Sequence, residues 1–573
     1  MGATKTARNA FLVISSLCYS VFSLPPIDHP SLHTPRVQLA QGLVTGLRSP
    51  QFRQDYFLGI PYAQPPLGKL RFAKPQPLKP RPSHTVDAIK YGKACLQPLS
   101  TLNLTASDMS EDCLFINVLR PSNLPHGAKL PVMVWIYGGG NTFGASQLYN
   151  GSVIVKQSVF LNESVIYVSF NYRLMSFGFL AAPELAHAST TGTLNAGLHD
   201  MVGALKWVQE NIAAFGGNKD LVTVFGESAG AVGIGSLLLA GGGRYVKQHN
   251  LFHGAVMESG SPSSISIPLV SDVFPWTNIF VAVAGCLPFN TSVISCLRSK
   301  PSEVLYQASL AALNTTDPAL AFTGVVDGFF FKGGIRAAEA VRRGYVANVP
   351  IITGCNLDEG TLLVPHTFNN TDQMVNFFRE WFYVGNLSVK QTKLFKGLLE
   401  LYPDIPAIGS PYDPVGVSKN DRFFGPNNQF KRAASLFGDI VLHSGRRALL
   451  DAYLRRGAHY PAWTYLYTQV IPGVPVYLGA FHGSELPSVF GMHTIYDWNP
   501  VLGTTSSYMI SAWVAFANSL DPNRPYLRNW PKYGEQHHIL QIGNGHFDVI
   551  TDDFRKKGIE FFQRKDFTDA FNF

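Results

Sequence analysis

The sequence predicts an α/β fold with a mostly parallel central sheet flanked by helices and with large loop and helical insertions. Two observations predict it: apolar runs of strand length recur along the chain, and segments with helical spacing separate them. Strands that are apolar along their whole length are typical of parallel sheets covered on both faces. The 573-residue chain is 46% hydrophobic and only 15% charged, against about 25% charged in typical domains. It can therefore bury a large core.

Five segments are predicted to be buried strands: 131–137, 165–170, 221–225, 254–257 and 349–353. Before the third strand, Leu205, Trp207, Val208, Ile212 and Phe215 recur at helical spacing. From about 301 to 455 the chain has more helix-like segments and long loops rich in proline and glycine. No internal repeat or low-complexity linker divides it. We therefore expect one large domain over residues 24–573.

The N-terminus has the layout of a secretory signal peptide. Lys5 and Arg8 precede an apolar run from Ala10 to Phe22, and the small residue Ser23 follows. The run is too short for a bilayer, which needs about 20 apolar residues. We expect residues 1–23 to be removed and the mature protein to be secreted and extracellular, without stable insertion into a membrane.

The formal net charge is +8, but the lysines and arginines are scattered. The densest run, from Arg555 to Lys565, is interleaved with acidic residues. This pattern indicates a solvated surface rather than a nucleic-acid site. No nucleic-acid partner is expected.

The glycosylation sequons and the cysteines are also typical of a secreted protein. Seven Asn-x-Ser/Thr sequons predict a glycoprotein: Asn103, Asn150, Asn162, Asn290, Asn314, Asn369 and Asn386. Of six cysteines, Cys18 leaves with the signal peptide. Cys95 and Cys113, and likewise Cys286 and Cys296, are close pairs that an oxidising compartment would bridge. Cys355 remains as a buried thiol.

Gly226-Glu227-Ser228-Ala229-Gly230 carries the chemistry. It follows the predicted strand 221–225 and precedes a helix-compatible apolar segment, which is the context of a nucleophile elbow. Glycine is needed two residues either side of Ser228, since larger side chains would clash in the tight turn. Ser228 is the predicted nucleophile.

A second glycine run, Tyr137-Gly138-Gly139-Gly140, ends the strand 131–137. Acyl transfer requires hydrogen-bond donors at the developing oxyanion, and glycines expose backbone N–H groups. Tyrosine replaces the histidine of the usual His-Gly-Gly-Gly, but the donors are main-chain groups. We predict Gly139, Gly140 and Ala229 as the donors. A phosphate-binding loop is disfavoured because neither phosphate-loop pattern is formed.

A serine nucleophile needs a base and an orienting carboxylate, in the order serine, acid, histidine in this kind of fold. Asp358 and Glu359 follow the strand 349–353, and both are candidates for the acid. The candidates for the base are His443, His482, His493, His537, His538 and His546. His482 has small neighbours, but spacing alone does not choose among them.

At these residues the chain resembles the type-B carboxylesterase/lipase family, which includes cholinesterases and the fungal Candida rugosa-type lipases. The matches extend over nearly the whole mature chain. They are Gly59–Gly68, Leu70–Phe72, Glu111–Leu114, Asn171–Arg173, Asn195–Leu198, Trp207–Ile212, Phe215–Gly217, Phe225–Gly230 and Asp358–Gly360. Gly409–Tyr412, Phe430–Arg432, Gly438–Asp439, Ala515–Ala517 and Asp521–Asn523 resemble the fungal members.

The resemblance implies an α/β-hydrolase fold and a serine ester hydrolase of the carboxylesterase kind. No metal or cofactor is expected, since neither H-E-x-x-H nor a paired-cysteine zinc spacing occurs. It implies Glu359 as the acid, His482 as the base, and the bridges Cys95–Cys113 and Cys286–Cys296. Glu227, before the nucleophile, is typical of the family and supports the site from behind. The substrate is a small-molecule or lipid ester, and the oligomeric state is not predicted.

The chain also departs from the family pattern. Lipases of this family carry an amphipathic lid in the first disulfide loop, but here only seventeen, mostly small and polar residues separate Cys95 from Cys113. This favours soluble or short-to-medium chain esters. Asp200-Met201 and Asn218-Lys219 replace the usual pairs away from the triad. Two alternatives stay open: a true lipase or sterol esterase on long-chain esters, and a non-catalytic adhesion or binding relative.

Overall fold

The structure is a computed structural model that describes residues 34–99, 104–187, 192–287, 292–314, 322–382, 386–457, 461–492, 500–571 and 573. The predicted signal peptide lies outside the described residues. So do the sequons at Asn103 and Asn290 and the candidate base His493.

The strands are numbered β1 to β16 along the described residues. They are Arg36–Leu39, Gly42–Thr45, Leu47–Ser49, Gln54–Pro61, Thr85–Asp87, Ala94–Cys95, Met109–Ser110, Phe115–Pro121, Leu130–Ile136, Ile166–Phe170, Gly217–Glu227, Gly254–Glu258, Ile351–Asn356, Ala462–Tyr467, His538–Gly543 and His546–Thr551.

One large sheet organises the fold, in the order β16-β15-β14-β13-β12-β11-β9-β10-β8-β4-β3. The strands from β15 across to β10 pair in parallel, and β16, β8, β4 and β3 join antiparallel at the two sides. The five predicted strands are β9 to β13, and they occupy five adjacent positions of the parallel region. Val349 and Pro350, predicted to begin β13, precede it in the structure.

Helices cover the sheet. The α-helices among the described residues are Ser152–Phe160, Met175–Phe179, Pro183–His187, Ala196–Asn211, Ala229–Gly243, Tyr245–Gln248, Phe274–Val283, Val293–Ser299, Ser302–Asn314, Ala337–Arg342, Thr371–Trp381, Val389–Leu401, Phe430–Gly438, Ser444–Leu454, Leu486–Val489, Pro500–Ser519, Lys556–Gln563 and Lys565–Ala570. The 3-10 turns are Gly68–Leu70, Ala106–Asp108, Ser146–Leu148, Ile212–Phe215, Glu359–Thr361, Pro406–Ile408 and Val476–Leu478, and Asp439–His443 is a π-helical turn. None of the described helices is long and apolar enough to cross a membrane.

The central strands are buried because their side chains are apolar on both faces. Every residue from Val132 to Ile136 in β9 is fully buried. The ring of Trp135 packs 4.9 Å from both Phe225 and Phe490, measured between ring centroids. Full burial of one large apolar side chain contributes about 1.5–3 kcal/mol, so these strands form a rigid base. The loops that follow β9, β11 and β13 all leave the same edge of the sheet.

Candidate active site

A strained turn joins β11 to the helix Ala229–Gly243. Ser228 occupies it with φ 54° and ψ −125°, and its N–H donates to the carbonyl of Glu258 at 2.9 Å. A Cβ added to Gly226 or Gly230 would lie 2.5 Å or 2.0 Å from the carbonyl oxygen of Ile136. Both approaches are shorter than van der Waals contact allows. The turn therefore requires glycine at both positions, as the motif predicts.

Three of the predicted side chains meet in one chain of hydrogen bonds. The Nε2 of His482 lies 2.8 Å from the hydroxyl oxygen of Ser228. The Nδ1 of His482 lies 2.7 Å from Oε2 of Glu359. Ser228 follows β11, Glu359 follows β13, and His482 lies in a loop after β14. The arrangement allows a proton to move from the hydroxyl to the imidazole while the carboxylate orients the ring.

The other described candidate histidines occupy different places. His443 is fully buried in the π-helical turn Asp439–His443. Nδ1 of His537 contacts the Tyr533 hydroxyl at 2.8 Å. His538 begins β15, and His546 begins β16, the last strand on that side of the sheet.

The carboxylate of Glu359 is held by the strands behind it. Its Oε1 accepts hydrogen bonds from the Ser259 hydroxyl and from the backbone N–H of Asn356, both at 2.7 Å. Only 1% of Glu359 is exposed. With Oε1 occupied by two donors, Oε2 is directed to His482. Nothing in the sequence pattern pointed to either donor. Asn356 ends β13 three residues before Glu359, whereas Ser259 becomes a neighbour of Glu359 only when β12 and β13 pair.

Asp358, the other candidate acid, points away from His482. It accepts hydrogen bonds from the Ser410 hydroxyl at 2.8 Å and from the N–H groups of Tyr412 at 2.9 Å and Ala480 at 3.0 Å. These partners come from two other loops, one of which carries His482 two residues further on. Asp358 therefore ties the loop of Glu359 to the loop of His482.

Glu227 places a second carboxylate at the imidazole. Its Oε1 lies 3.2 Å from Nε2 of His482, on the side that faces Ser228. Burial disfavours the charged imidazole, but Glu227 and Glu359 outweigh it and raise the pKa of His482 above its ordinary value. Burial also raises the pKa of Glu227 to about 7, partly offset by His482. Burial, together with Glu227 and Glu359, raises the pKa of Glu485 to about 8.

The predicted oxyanion loop approaches the elbow closely. A Cβ on Gly138 would lie 2.8 Å from Cβ of Ser228, so the backbone of the loop passes directly beside the serine. Gly139 and Gly140 adopt φ of 98° and 61°, which side chains disfavour. Ala229 begins the helix that follows Ser228. The loop that carries Gly139 and Gly140 thus passes beside Ser228, and Ala229 follows Ser228 directly in the chain.

Two stacked tyrosines support the oxyanion loop. The rings of Tyr137 and Tyr172 lie 4.5 Å apart at 20°. The Tyr172 hydroxyl donates to the Tyr137 carbonyl at 2.9 Å, and the Tyr137 hydroxyl donates to the Tyr172 carbonyl at 3.2 Å. Sequence reasoning missed this pairing, although Tyr172 belongs to the motif 171–173 that carries the family resemblance.

The structure contains both predicted bridges, Cys95–Cys113 and Cys286–Cys296, and Cys355 is a buried free thiol. The first bridge closes a loop that is anchored beside the site. The fully buried amide of Gln97 donates to the carbonyl of Gly144 at 3.0 Å and accepts from its N–H at 2.9 Å. In the described part of this loop the only helical segment is the single turn Ala106–Asp108.

The described sequons differ in accessibility. Asn162, Asn314, Asn369 and Asn386 are exposed. Asn150 is half-buried, and its Oδ1 accepts hydrogen bonds from the N–H and hydroxyl of Ser152 at 3.0 Å and 2.7 Å. Ser152 itself is fully buried and contacts the Tyr56 hydroxyl at 2.9 Å.

The chain is similar to known proteins over most of its length. A model described as the carboxylesterase family matches residues 33–562. Lipase 1 of Geotrichum candidum is 36% identical over 552 residues, covering 89% of this chain and 92% of the relative. Secreted lipase 1 of Botryotinia fuckeliana is 31% identical over 593 residues, covering 96% and 97%. The crystal structure of Aspergillus niger EstA superposes with a TM-score of 0.78 at 25% identity, covering 94% of this chain and 99% of that one.

Proposed function

The chain belongs to the carboxylesterase family, with the α/β-hydrolase fold, and is a carboxylic ester hydrolase; from this premise we propose that Ser228, His482 and Glu359 are its catalytic triad. The observation that carries the proposal is the continuous hydrogen-bonded chain, 2.8 Å from Ser228 to His482 and 2.7 Å from His482 to Glu359.

His482 takes the proton of Ser228 as the hydroxyl oxygen attacks the ester carbonyl. Glu359 keeps the proton of the neutral imidazole on Nδ1, so Nε2 is free to accept. The same carboxylate stabilises the imidazolium, which then protonates the departing alcohol. Water, activated by His482 in the same way, hydrolyses the acyl-enzyme and restores Ser228.

The N–H groups of Gly139, Gly140 and Ala229 bind the oxyanion of each tetrahedral intermediate. One donor of this kind is worth about 3–4 kcal/mol in the transition state. The stacked Tyr137–Tyr172 pair supports the loop that carries Gly139 and Gly140, so we expect little reorganisation when charge develops.

Loss of Ser228 provides the direct test. Wild-type protein should hydrolyse p-nitrophenyl butyrate and incorporate one equivalent of an organophosphate, whereas Ser228→Ala should do neither while keeping its unfolding transition. A wild-type protein that neither turns over nor becomes labelled would instead support the non-catalytic binding relative.

The preferred substrates are soluble or short-to-medium chain esters. The support is the first disulfide loop, which is short and pinned at Gln97 to Gly144, close to the oxyanion loop. A long lid that opens at a lipid surface would need more residues than the seventeen between the two cysteines.

The rival is a true lipase or sterol esterase, and the names of the fungal relatives favour the lipase. Rates on tributyrin and triolein, measured below and above the concentration at which droplets form, separate the two. We expect saturation on dissolved tributyrin and little activity on triolein. A sharp rise at the droplet threshold would favour the lipase.

We further propose that residues 1–23 are a signal peptide, that 24–573 form one domain, and that the mature protein is extracellular. One relative is named as secreted, and the exposed sequons agree. N-terminal sequencing of protein from culture medium should begin close to Leu24.

A further inference from the structure

An exposed cluster of cations surrounds two aromatic rings on the side of the molecule. The rings of Tyr245 and Phe329 lie 4.9 Å apart, edge to face. The ammonium of Lys206 lies 5.9 Å from the Tyr245 ring centroid, and that of Lys74 lies 5.5 Å from the Phe329 centroid. Lys332 reaches the same place, since a Cβ on Gly242 would lie 3.8 Å from its ammonium. These two rings and three lysines are called the basic patch.

The positive charge of the basic patch is not neutralised by ion pairs. Lys74, Lys206 and Lys332 are exposed, and none forms an ion pair with a described residue. Arg244 and Lys247, on either side of Tyr245 in the chain, are also exposed and add two charges.

The acidic residues close by in the chain do not remove this excess. Asp327 is half-buried, and its Oδ1 accepts the N–H groups of Phe329 and Phe330 at 3.0 Å and 2.9 Å. Glu210 lies one helical turn after Lys206 but does not pair with it within the distance of a salt bridge. The positive charge of the patch also affects a buried neighbour. Burial, with Lys74 and Lys206 among the neighbouring cations, lowers the pKa of His199 to about 3.

The basic patch lies away from the hydrolytic site. Ser228 precedes the helix Ala229–Gly243, and the regular turns of that helix end at Leu239, because the backbone at Ala240–Gly242 is not helical. Eleven helical residues span about 16 Å. The Tyr245 side of the patch begins beyond that point, so a molecule bound there leaves the serine free.

We propose that the basic patch binds an acidic polysaccharide and thereby holds the enzyme on a polyanionic matrix. The exposed lysines, together with Arg244, pair with carboxylates along the polymer, and the two half-buried rings hold Lys206 and Lys74 side by side for this contact. An anionic lipid surface fits less well, because segments 241–250 and 327–332 contain no exposed large apolar side chain to insert between lipids.

A charge-reversal pair tests the proposal on the full mature protein. The patch variant carries Lys74→Glu, Lys206→Glu and Lys332→Glu. The matched control carries Lys390→Glu, Lys393→Glu and Lys396→Glu, three exposed lysines of the helix Val389–Leu401, and it changes the net charge equally. The probe is immobilised polygalacturonate at low salt, with the fully methyl-esterified polymer as the uncharged comparison.

We expect wild type and control to bind polygalacturonate but not the methyl ester, and to be released as salt screens the charges. The patch variant should bind at least tenfold more weakly. Equal weakening in both variants would mean that only net charge matters, and would overturn the proposal. So would binding to phosphatidylserine vesicles in place of polygalacturonate. Hydrolysis of p-nitrophenyl butyrate by all three proteins should be unchanged, and it reports folding independently of binding.

Discussion

Replacing Glu359 with glutamine should switch His482 to the wrong tautomer. Oε1 of Glu359 accepts two donors, the Ser259 hydroxyl and the Asn356 N–H, whereas Oε2 faces only His482. A glutamine keeps its oxygen at the Oε1 position, since turning the amide round would leave the buried Asn356 N–H unpaired at a cost of about 1–3 kcal/mol. The amide NH2 then faces Nδ1 of His482, which must become an acceptor. The ring proton moves to Nε2, where it blocks proton transfer from Ser228.

The expected loss in kcat is about 10³–10⁴-fold, by analogy with the effect of a wrong imidazole tautomer in other triads. This corresponds to about 4–5.5 kcal/mol in the activation barrier, at 1.36 kcal/mol per tenfold. The assay is steady-state hydrolysis of p-nitrophenyl butyrate, with urea unfolding measured on the same protein. Retention of more than a tenth of wild-type kcat by Glu359→Gln would refute the reasoning.

Asp358→Asn is the matched comparison, because it makes the same chemical change one residue earlier. Here the amide faces either Ala480 N–H or the donors from Ser410 and Tyr412, so one buried donor loses its partner. We expect a fall of about 1–3 kcal/mol in the free energy of unfolding and a loss in kcat below about thirtyfold. Glu359→Gln should therefore mainly lower kcat, whereas Asp358→Asn should mainly lower the free energy of unfolding. A collapse of kcat in Asp358→Asn alone would identify Asp358 as the acid.

Two further substitutions and one glycosylation site give additional predictions. Removing the carboxylate of Glu227 with glutamine destabilises the imidazolium of His482, so the acidic limb of the kcat/KM profile should move to lower pH by about one unit; an unmoved limb would contradict this. Asp200→Asn leaves the guanidinium of Arg173, bound at 2.7 Å and 2% exposed, buried without its partner, and urea unfolding should show a loss of about 3–5 kcal/mol. Peptide mass spectrometry should find Asn150 without a glycan, because Ser152, the third residue of its sequon, is buried and donates two hydrogen bonds to the Asn150 side chain; an occupied Asn150 would show that modification precedes this packing.

Much of the fold was predictable because its central strands are apolar throughout. The segments predicted at 131–137, 165–170, 221–225, 254–257 and 349–353 became adjacent strands. The edge strand β16 gives a weak signal because its residues are exposed or only partly buried. β15 is mostly buried, but its two polar residues, His538 and Gln541, interrupt its apolar run. β14, although aromatic and fully buried, lies beyond the helical insertions and was not recognised.

The site was predictable in parts. Ser228 follows from local sterics, since a strand, a glycine turn and a helix suffice to expose a hydroxyl. The base does not: His482 is 254 residues from Ser228 and 123 from Glu359, and only the packing of the intervening strands brings the three together. Asp358 and Glu359 are adjacent, so the choice between them depended on which carboxylate the Asn356 N–H captures. Only the family resemblance could anticipate that from the sequence.

The glycines of the elbow restrict the mutations by which this protein can evolve. Gly226 and Gly230 are crowded by the carbonyl oxygen of Ile136, a main-chain atom that is present whatever side chain stands at that position. No substitution elsewhere removes that oxygen, so a larger residue at either glycine cannot be compensated by a second mutation. Active clones selected from a mutational library should therefore keep both glycines. New substrate preferences must therefore arise from the side chains of surrounding loops, while the turn that presents the serine is inherited intact.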